Sequence, residues 1–238
     1  MNTTTYARRP LTHILVPLLL VGTVGSLGVI PGEAASPRHL SATPAASHTA
    51  HTGATSAGHG VRLTVSSGTS ADYRAREQLT FFSFPTDAVG TTTAVKGSIV
   101  LDAHGRIVPS KSTFVIDLRT LTSDRSQRDQ FIQANTLQTS QYPEAVFSVA
   151  RAVGLPSALP TSGTIHFSLV GNLTVHGVTR STTWTVTATL GRRAVTGVAT
   201  TRVKLTSFNM SPPQVGPVLS VNDTITLEIN ARLARTTL

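Results

Sequence analysis

The sequence predicts an all-β, antiparallel domain, because alternating segments recur along the chain with turns between them. In 183–190 and 224–233, apolar and polar residues alternate strictly. This period of two is typical of strands that place one face in a core and the other in water. Turn-forming residues separate such segments, as in the Asp-Ala-His-Gly stretch at 102–105. Antiparallel strands at such regular spacing favour a sandwich or a barrel.

The alternation, strict or weak, predicts eight to nine strands. They lie at 61–66, 79–84, 95–101, 113–118, 146–150, 165–175, 183–190, 194–205 and 224–233. The stretch at 124–136 lacks alternation and contains better helix formers. Asp124 is expected to cap this helix, with Gln127 returning the hydrogen bond, and Phe131 is expected to pack against the core. The sequence thus predicts one short helix inserted among the strands.

The N-terminus has the layout of a secretory signal. Arg8 and Arg9 precede an uncharged apolar stretch at 11–30, and small residues such as Ala34 follow it. This order predicts an exported, extracytoplasmic protein, held in the cell envelope or secreted. Two alternatives stay open for residues 1–35. They form a signal peptide that is removed, or 11–30 remains as a membrane anchor, since about 20 apolar residues span a bilayer.

Residues 36–60 are rich in Ala, Ser, Thr and His and poor in the apolar residues whose burial offsets the entropy of ordering. We interpret them as a disordered linker that precedes a domain at 61–235. Four histidines lie in this segment: His39, His48, His51 and His59. A specific metal site needs ordered ligands, so we expect no metal site, and no motif suggests a cofactor. The chain has no Cys, which excludes disulfides and thiolate ligands.

Composition and motifs favour a binding protein over an enzyme. The chain has no nucleophile elbow, zinc-protease motif, phosphate loop or dinucleotide fingerprint. Its formal net charge of +9 is compatible with an anionic membrane surface as a partner. Because the basic residues are scattered and aromatics make up only 5% of the chain, nucleic acid is not an expected partner. Nothing in the sequence predicts an oligomeric state.

A run of short motifs between 120 and 179 is the most specific feature of the chain. It comprises Leu-Thr-Ser at 121–123, Arg-Asp at 128–129, Tyr-Pro at 142–143 and Gly-Asn-Leu-Thr-Val-His-Gly-Val-Thr at 171–179. The order and spacing resemble the YceI-like, polyisoprenoid-binding family. The resemblance implies an eight-stranded, lipocalin-like barrel that holds a long-chain amphiphilic lipid such as a polyisoprenoid or a quinone precursor. At 73–77, an unusual Tyr-Arg-Ala-Arg-Glu cluster departs from the family pattern.

The inward faces of the strands predict where a lipid is held. Small residues at Ala188, Ala231, Gly197 and Ala199 leave room in the interior, and an uncharged interior favours an apolar chain. Arg128, on the predicted helix, is the expected headgroup contact. The aromatic residues expected near the chain are Phe114, Phe131, Phe147, Phe167 and Trp184. The alternative is an envelope-associated β-sandwich with a filled core, acting as an adhesion or structural module.

Overall fold

The computed structural model describes residues 59–238, which contain twelve strands and one α-helix. The strands are β1 (Val61–Val65), β2 (Ser70–Leu79), β3 (Thr86–Thr92), β4 (Val95–Leu101), β5 (Thr113–Asp117), β6 (Thr122–Ser123), β7 (Glu144–Val153), β8 (Gly163–Val175), β9 (Val178–Leu190), β10 (Ala194–Lys204), β11 (Val218–Val221) and β12 (Thr224–Thr237). Helix α1 (Ser126–Phe131) continues into a π-helical turn at Ile132–Thr136. Short 3₁₀ turns lie at Pro109–Lys111, Leu118–Thr120 and Leu205–Phe208.

Eight antiparallel strands close a barrel in the order β1, β4, β5, β7, β8, β9, β10, β12. The ring closes because β12 pairs back with β1, with Val65 opposite Leu233. Three further strands extend the sheet at one end of the barrel. β12 pairs with β2 as well as with β1 and β10, β2 pairs with β3, and β3 pairs with β6. The predicted antiparallel eight-stranded barrel with one short inserted helix is confirmed.

Strand β9 illustrates how the alternating sequence produces the barrel wall. Its inward residues Trp184, Val186, Ala188 and Leu190 are buried, and the threonines between them are exposed. The strand pairs along its whole length with β8 and for six residues with β10. Every second side chain therefore joins the interior, and the threonine hydroxyls face water.

The end of the barrel opposite α1, here called the filled end, is closed by its own side chains. Large aliphatic residues from β1, β4, β8 and β9 meet there. They include Leu63, Ile99, Leu101, Leu169 and Leu190. The gap left among them is about 30 Å³, which is room for no more than a water molecule or two.

One predicted strand is wrong. The segment 79–84 does not form a strand, since β2 ends at Leu79 and residues 80–85 form a loop that exposes Phe81, Phe82 and Phe84. The apolar run that suggested a strand is therefore a surface feature. The true strand begins at Ser70, and its inward residues alternate too weakly in hydropathy to reveal it.

The predicted helix is present but starts differently. Arg125, not Asp124, occupies the N-cap position, and its side chain makes no capping hydrogen bond. The carboxylate of Asp124 instead accepts a hydrogen bond from Arg128, one turn into the helix. Asp124 thus pairs with the side chain of Arg128 and does not cap the backbone N–H groups at the start of the helix.

The predicted leader at 1–35 and all but the last two residues of the predicted linker lie outside the described residues. No helix within 59–238 combines the length and the apolar composition of a bilayer-spanning segment. In the same part of the chain, no three His, Cys, Asp or Glu side chains gather as metal ligands would.

Candidate functional site

A cavity of about 300 Å³ occupies the end of the barrel beside α1. Its walls are inward-facing residues of β2, β5, β7, β8, β9 and β12, and α1 with the following turn covers one side. Apolar side chains form almost all of the surface. The cavity reaches solvent at Arg125, Gln127 and Pro217, which line it and are exposed, and these three residues are called the rim below.

The cavity exists because small residues replace large ones at this end of the barrel. Four buried alanines line it: Ala71 and Ala75 on β2, Ala88 on β3 and Ala145 on β7. Ala75 and Ala88 are direct cross-strand partners, so two small side chains lie next to each other. At the filled end the inward residues are mostly Leu and Ile, and hence the space there is occupied.

Three of the aromatic residues predicted from the sequence lie on the cavity wall: Phe131, Phe147 and Trp184. The rings of Phe147 and Trp184 are buried and packed at a tilt, with their centroids 5.3 Å apart. Gly171 on β8 makes room for the backbone of β7 and for the Phe147 ring, since a Cβ there would collide with the Ser148 carbonyl oxygen and stand 2.9 Å from the ring atom Cε2. The Gly-x-Leu-Thr motif thus begins with a residue that the cavity wall requires.

Phe114 and Phe167 are not among the residues that line this cavity. Phe114 is buried in the barrel core opposite Phe147. Phe167 lies near the other end of the long strand β8 and lines the small gap at the filled end. The alternating pattern correctly predicted that both side chains point inward. It could not predict how far along the barrel axis each of them lies.

Arg128, the predicted headgroup contact, lines the cavity, and its charge is already paired. Its Nη2 lies 2.7 Å from Oε1 of Glu77 on β2, and both side chains are largely buried, with 14% and 7% of their surface exposed. Its Nη1 donates to the carboxylate of Asp124 and, at 3.3 Å, to Oγ of Ser123. Burial opposes the charged form, but the hydrogen bond to Asp124 and the charge of Glu77 raise the pKa of Arg128 above its ordinary value.

Tyr73 supplies a polar group to the cavity that the sequence analysis did not single out. Its ring lies across Gly90 on β3, where any Cβ would collide with it. Its hydroxyl is buried and has no hydrogen-bond partner among residues 59–238. Burial raises the pKa of Tyr73 to about 12, with Arg128 opposing and nearby carboxylates adding to the shift. The phenol is therefore neutral at ordinary pH.

Glu77 and Tyr73 both belong to the unusual cluster at 73–77. Their positions on β2 alternate with the exposed Arg74 and Arg76, which pair with Asp87 on the outer face. Reading every second residue of this cluster as inward would have identified both. The basic residues of the cluster are its most unusual feature, yet the two polar residues that line the cavity are Tyr73 and Glu77, on either side of them.

The comparisons with known proteins agree with this architecture. The model of the YceI-like domain family matches residues 64–233, which confirms the predicted resemblance. No curated protein matches the chain in sequence.

Two solved structures share the fold. Burkholderia cenocepacia BcnA is 17% identical, with 71% of this chain and 96% of that chain covered and a TM-score of 0.51. A polyisoprenoid binding domain from Saccharophagus degradans, implicated in plant cell wall breakdown, is 11% identical, with 74% and 98% covered and a TM-score of 0.54. Because the family model matches well over half of the residues of this chain, the chain belongs to the YceI-like domain family.

Proposed function

We propose that this protein is a non-catalytic carrier that holds the apolar part of a long-chain amphiphilic lipid inside its barrel. The observation that carries the proposal is the apolar cavity of about 300 Å³ beside α1. Small-molecule sites are concave, mostly apolar, and have a few well-placed polar groups. The cavity meets this description, with Tyr73 and the Arg128–Glu77 pair as its polar groups.

A polyisoprenoid or a quinone precursor suits such a cavity, because its tail is long, apolar and uncharged. The similar domain from Saccharophagus degradans is described as polyisoprenoid binding, which supports this class of ligand. An adhesion module with a filled core is the weaker account, since alanines leave this half of the barrel hollow. Export, proposed on the layout of residues 1–35, would bring the carrier into a compartment bounded by membranes.

The proposal is tested by native mass spectrometry of the purified protein after incubation with geranylgeraniol, a long-chain ubiquinone and palmitic acid. We expect one bound isoprenoid per chain, because the residues 59–238 enclose one cavity of suitable size. A protein incubated without lipid serves as the control. If the protein binds none of the three lipids while its circular dichroism shows a folded barrel, the carrier function is refuted.

We further propose that the carrier meets the membrane through an aromatic loop beside the rim. The loop 80–85 exposes three phenylalanines: Phe81, Phe82 and Phe84, the last with 77% of its surface accessible. Two contacts hold the loop at the rim. The Thr80 N–H donates to the Pro217 carbonyl at 2.8 Å, and the Arg125 guanidinium lies 5.4 Å from the centre of the Phe81 ring.

Exposed aromatic side chains next to a cationic residue favour the interfacial zone of a bilayer. Replacing Phe81 and Phe84 by serine is expected to lower vesicle binding about a hundredfold or more, since each of the two rings that enters the interface contributes roughly 1.5 kcal/mol or more. The measurement is co-sedimentation with vesicles of phosphatidylcholine and phosphatidylglycerol.

The matched control replaces Val153 and Val198 by serine, because both are exposed apolar residues outside the loop. If both double variants bind vesicles as the unaltered protein does, the loop is not the membrane contact. Equal loss in both would point to a general effect of surface hydrophobicity instead.

A further inference from the structure

The charges around the cavity are not those of an anion-binding site. Five residues with a carboxylate or a guanidinium group line it: Asp72, Glu77, Arg125, Arg128 and Glu228. Three are acids and two are bases. Beyond the wall, Asp124 contacts both arginines, and Asp129 accepts a hydrogen bond from Ser123 at 2.6 Å. Asp72 and Glu228 alternate with the inward residues of β2 and β12, and both accept a hydrogen bond from the side-chain amide of Asn230. Glu77 is the lining carboxylate that faces the interior, and each guanidinium group at the polar end of the cavity already has a carboxylate beside it.

Arg128 is the cation best placed to meet a headgroup, and its donors are in use. One face of the guanidinium bonds to buried Glu77 and another to Asp124 and Ser123. A phosphate that approached Arg128 would have to displace a carboxylate or stand beside one. Either change is unfavourable in a buried site, because like charges repel strongly where water is excluded.

Among residues 59–238, two residues that line the cavity carry a buried polar atom without a hydrogen-bond partner, Asp72 at Oδ1 and Tyr73 at its hydroxyl. The Tyr73 hydroxyl is the one at an inward position of β2. It lies on the same inward face of β2 as Glu77, with Ala75 between them. A buried hydroxyl without a hydrogen bond is costly, and a partner supplied by a ligand removes that cost. The hydroxyl has one proton to donate and lone pairs to accept, so it pairs with an alcohol or a carbonyl. Gly90 leaves the space that the ring occupies.

From this arrangement we infer that the cavity selects lipids with an uncharged polar end, an alcohol or a carbonyl that hydrogen-bonds to Tyr73, and discriminates against phosphorylated lipids of the same chain length. The inference rests on the proposed carrier function and narrows its ligand class. It also changes the role expected of Arg128, which holds Glu77 and the helix in place and does not bind a phosphate.

The test compares geranylgeraniol with geranylgeranyl phosphate, which differ only at the polar end. Dissociation constants are measured for the purified protein by quenching of its single tryptophan, Trp184, which lines the cavity. We expect the alcohol to bind about tenfold tighter or more, since only the phosphate brings a negative charge beside buried Glu77, where the donors of Arg128 are already in use. Equal or tighter binding of the phosphate would overturn the inference and leave the carrier function standing.

Two variants locate the selectivity. Tyr73→Phe is expected to weaken binding of the alcohol about fivefold, the typical value of one hydrogen bond. Tyr142→Phe is the matched control, because Tyr142 packs against His176 outside the cavity lining. Glu77→Gln is expected to shift the preference toward the phosphate, since it removes one carboxylate while keeping an oxygen for Arg128.

The outcomes separate the two proposals. If neither lipid binds, the carrier function fails. If the alcohol binds tightly but Tyr73→Phe changes nothing, the assignment of the polar end to Tyr73 is refuted. If Glu77→Gln leaves the preference unaltered, the carboxylates do not set the selectivity. Circular dichroism of each variant accompanies every measurement, and the comparison of the two lipids on the unaltered protein does not depend on any variant.

Discussion

Replacing Ala75 and Ala145 by phenylalanine is expected to abolish lipid uptake and to leave the barrel folded. Both alanines are buried on the cavity wall, on β2 and β7. Two added rings take up space that the lipid tail needs. Because they enter an empty cavity and not a packed core, they add apolar contacts without overpacking. We expect the melting temperature to stay the same or to rise by a few degrees.

Uptake is measured by native mass spectrometry and folding by thermal denaturation. Ala194→Phe with Ala234→Phe is the matched control, because these two alanines are exposed and the change in composition is identical. Ala75→Leu is a milder variant that still narrows the cavity if the double substitution fails to fold. Undiminished uptake by a folded, filled barrel would mean that the lipid binds elsewhere.

Replacing Arg128 by methionine is expected to lower the free energy of unfolding by about 3 kcal/mol, the usual cost of leaving a buried charge without its partner. Glu77, with 7% of its side chain exposed, would then be a carboxylate in an apolar wall. For a domain of this size, the melting temperature should fall by roughly 6–12 °C. Thermal and urea denaturation at neutral pH measure the change.

Two further variants separate burial from charge. Arg119→Met breaks the Arg119–Asp117 pair, which has the same N–O distance of 2.7 Å but lies at the surface. It should cost far less than Arg128→Met, because water replaces the lost partner. Replacing Glu77 by leucine together with Arg128→Met should restore most of the stability, since no unpaired charge remains. Equal costs for Arg128→Met and Arg119→Met would show that burial does not strengthen the pair.

The barrel was predictable where strands carry bulky inward residues. β9 and β12 alternate strictly because their inward side chains are apolar and most of them are buried, and the helix was predictable because 124–136 breaks that pattern. β2 was missed because its inward residues include Ala71, Tyr73, Ala75 and Glu77, which do not stand out from the polar residues between them. These small and polar inward residues, which make the strand hard to recognise, are also the ones that leave space for the cavity and supply its polar groups.

The depth of each residue in the barrel was not predictable from local sequence. The small side chain of Ala188 predicted space in the interior, but this alanine lies at the filled end, against the small gap of about 30 Å³. Whether a small residue leaves a cavity depends on the side chains opposite it, and strand register decides which these are. Buried contacts such as Arg128–Glu77 join residues 51 positions apart, and no local pattern records that distance.

The pairing of β12 with β10, β1 and β2 has a consequence for synthesis of the protein. Translation proceeds at roughly 5–20 residues per second, so β1 and β2 exist for several seconds before β12 leaves the ribosome. Until then, β10 on one side and β1 and β2 on the other lack their partner strand. Such unpaired edges accept strands from other chains. A chain cut before Thr224 is therefore an open sheet prone to aggregation, and not a smaller carrier.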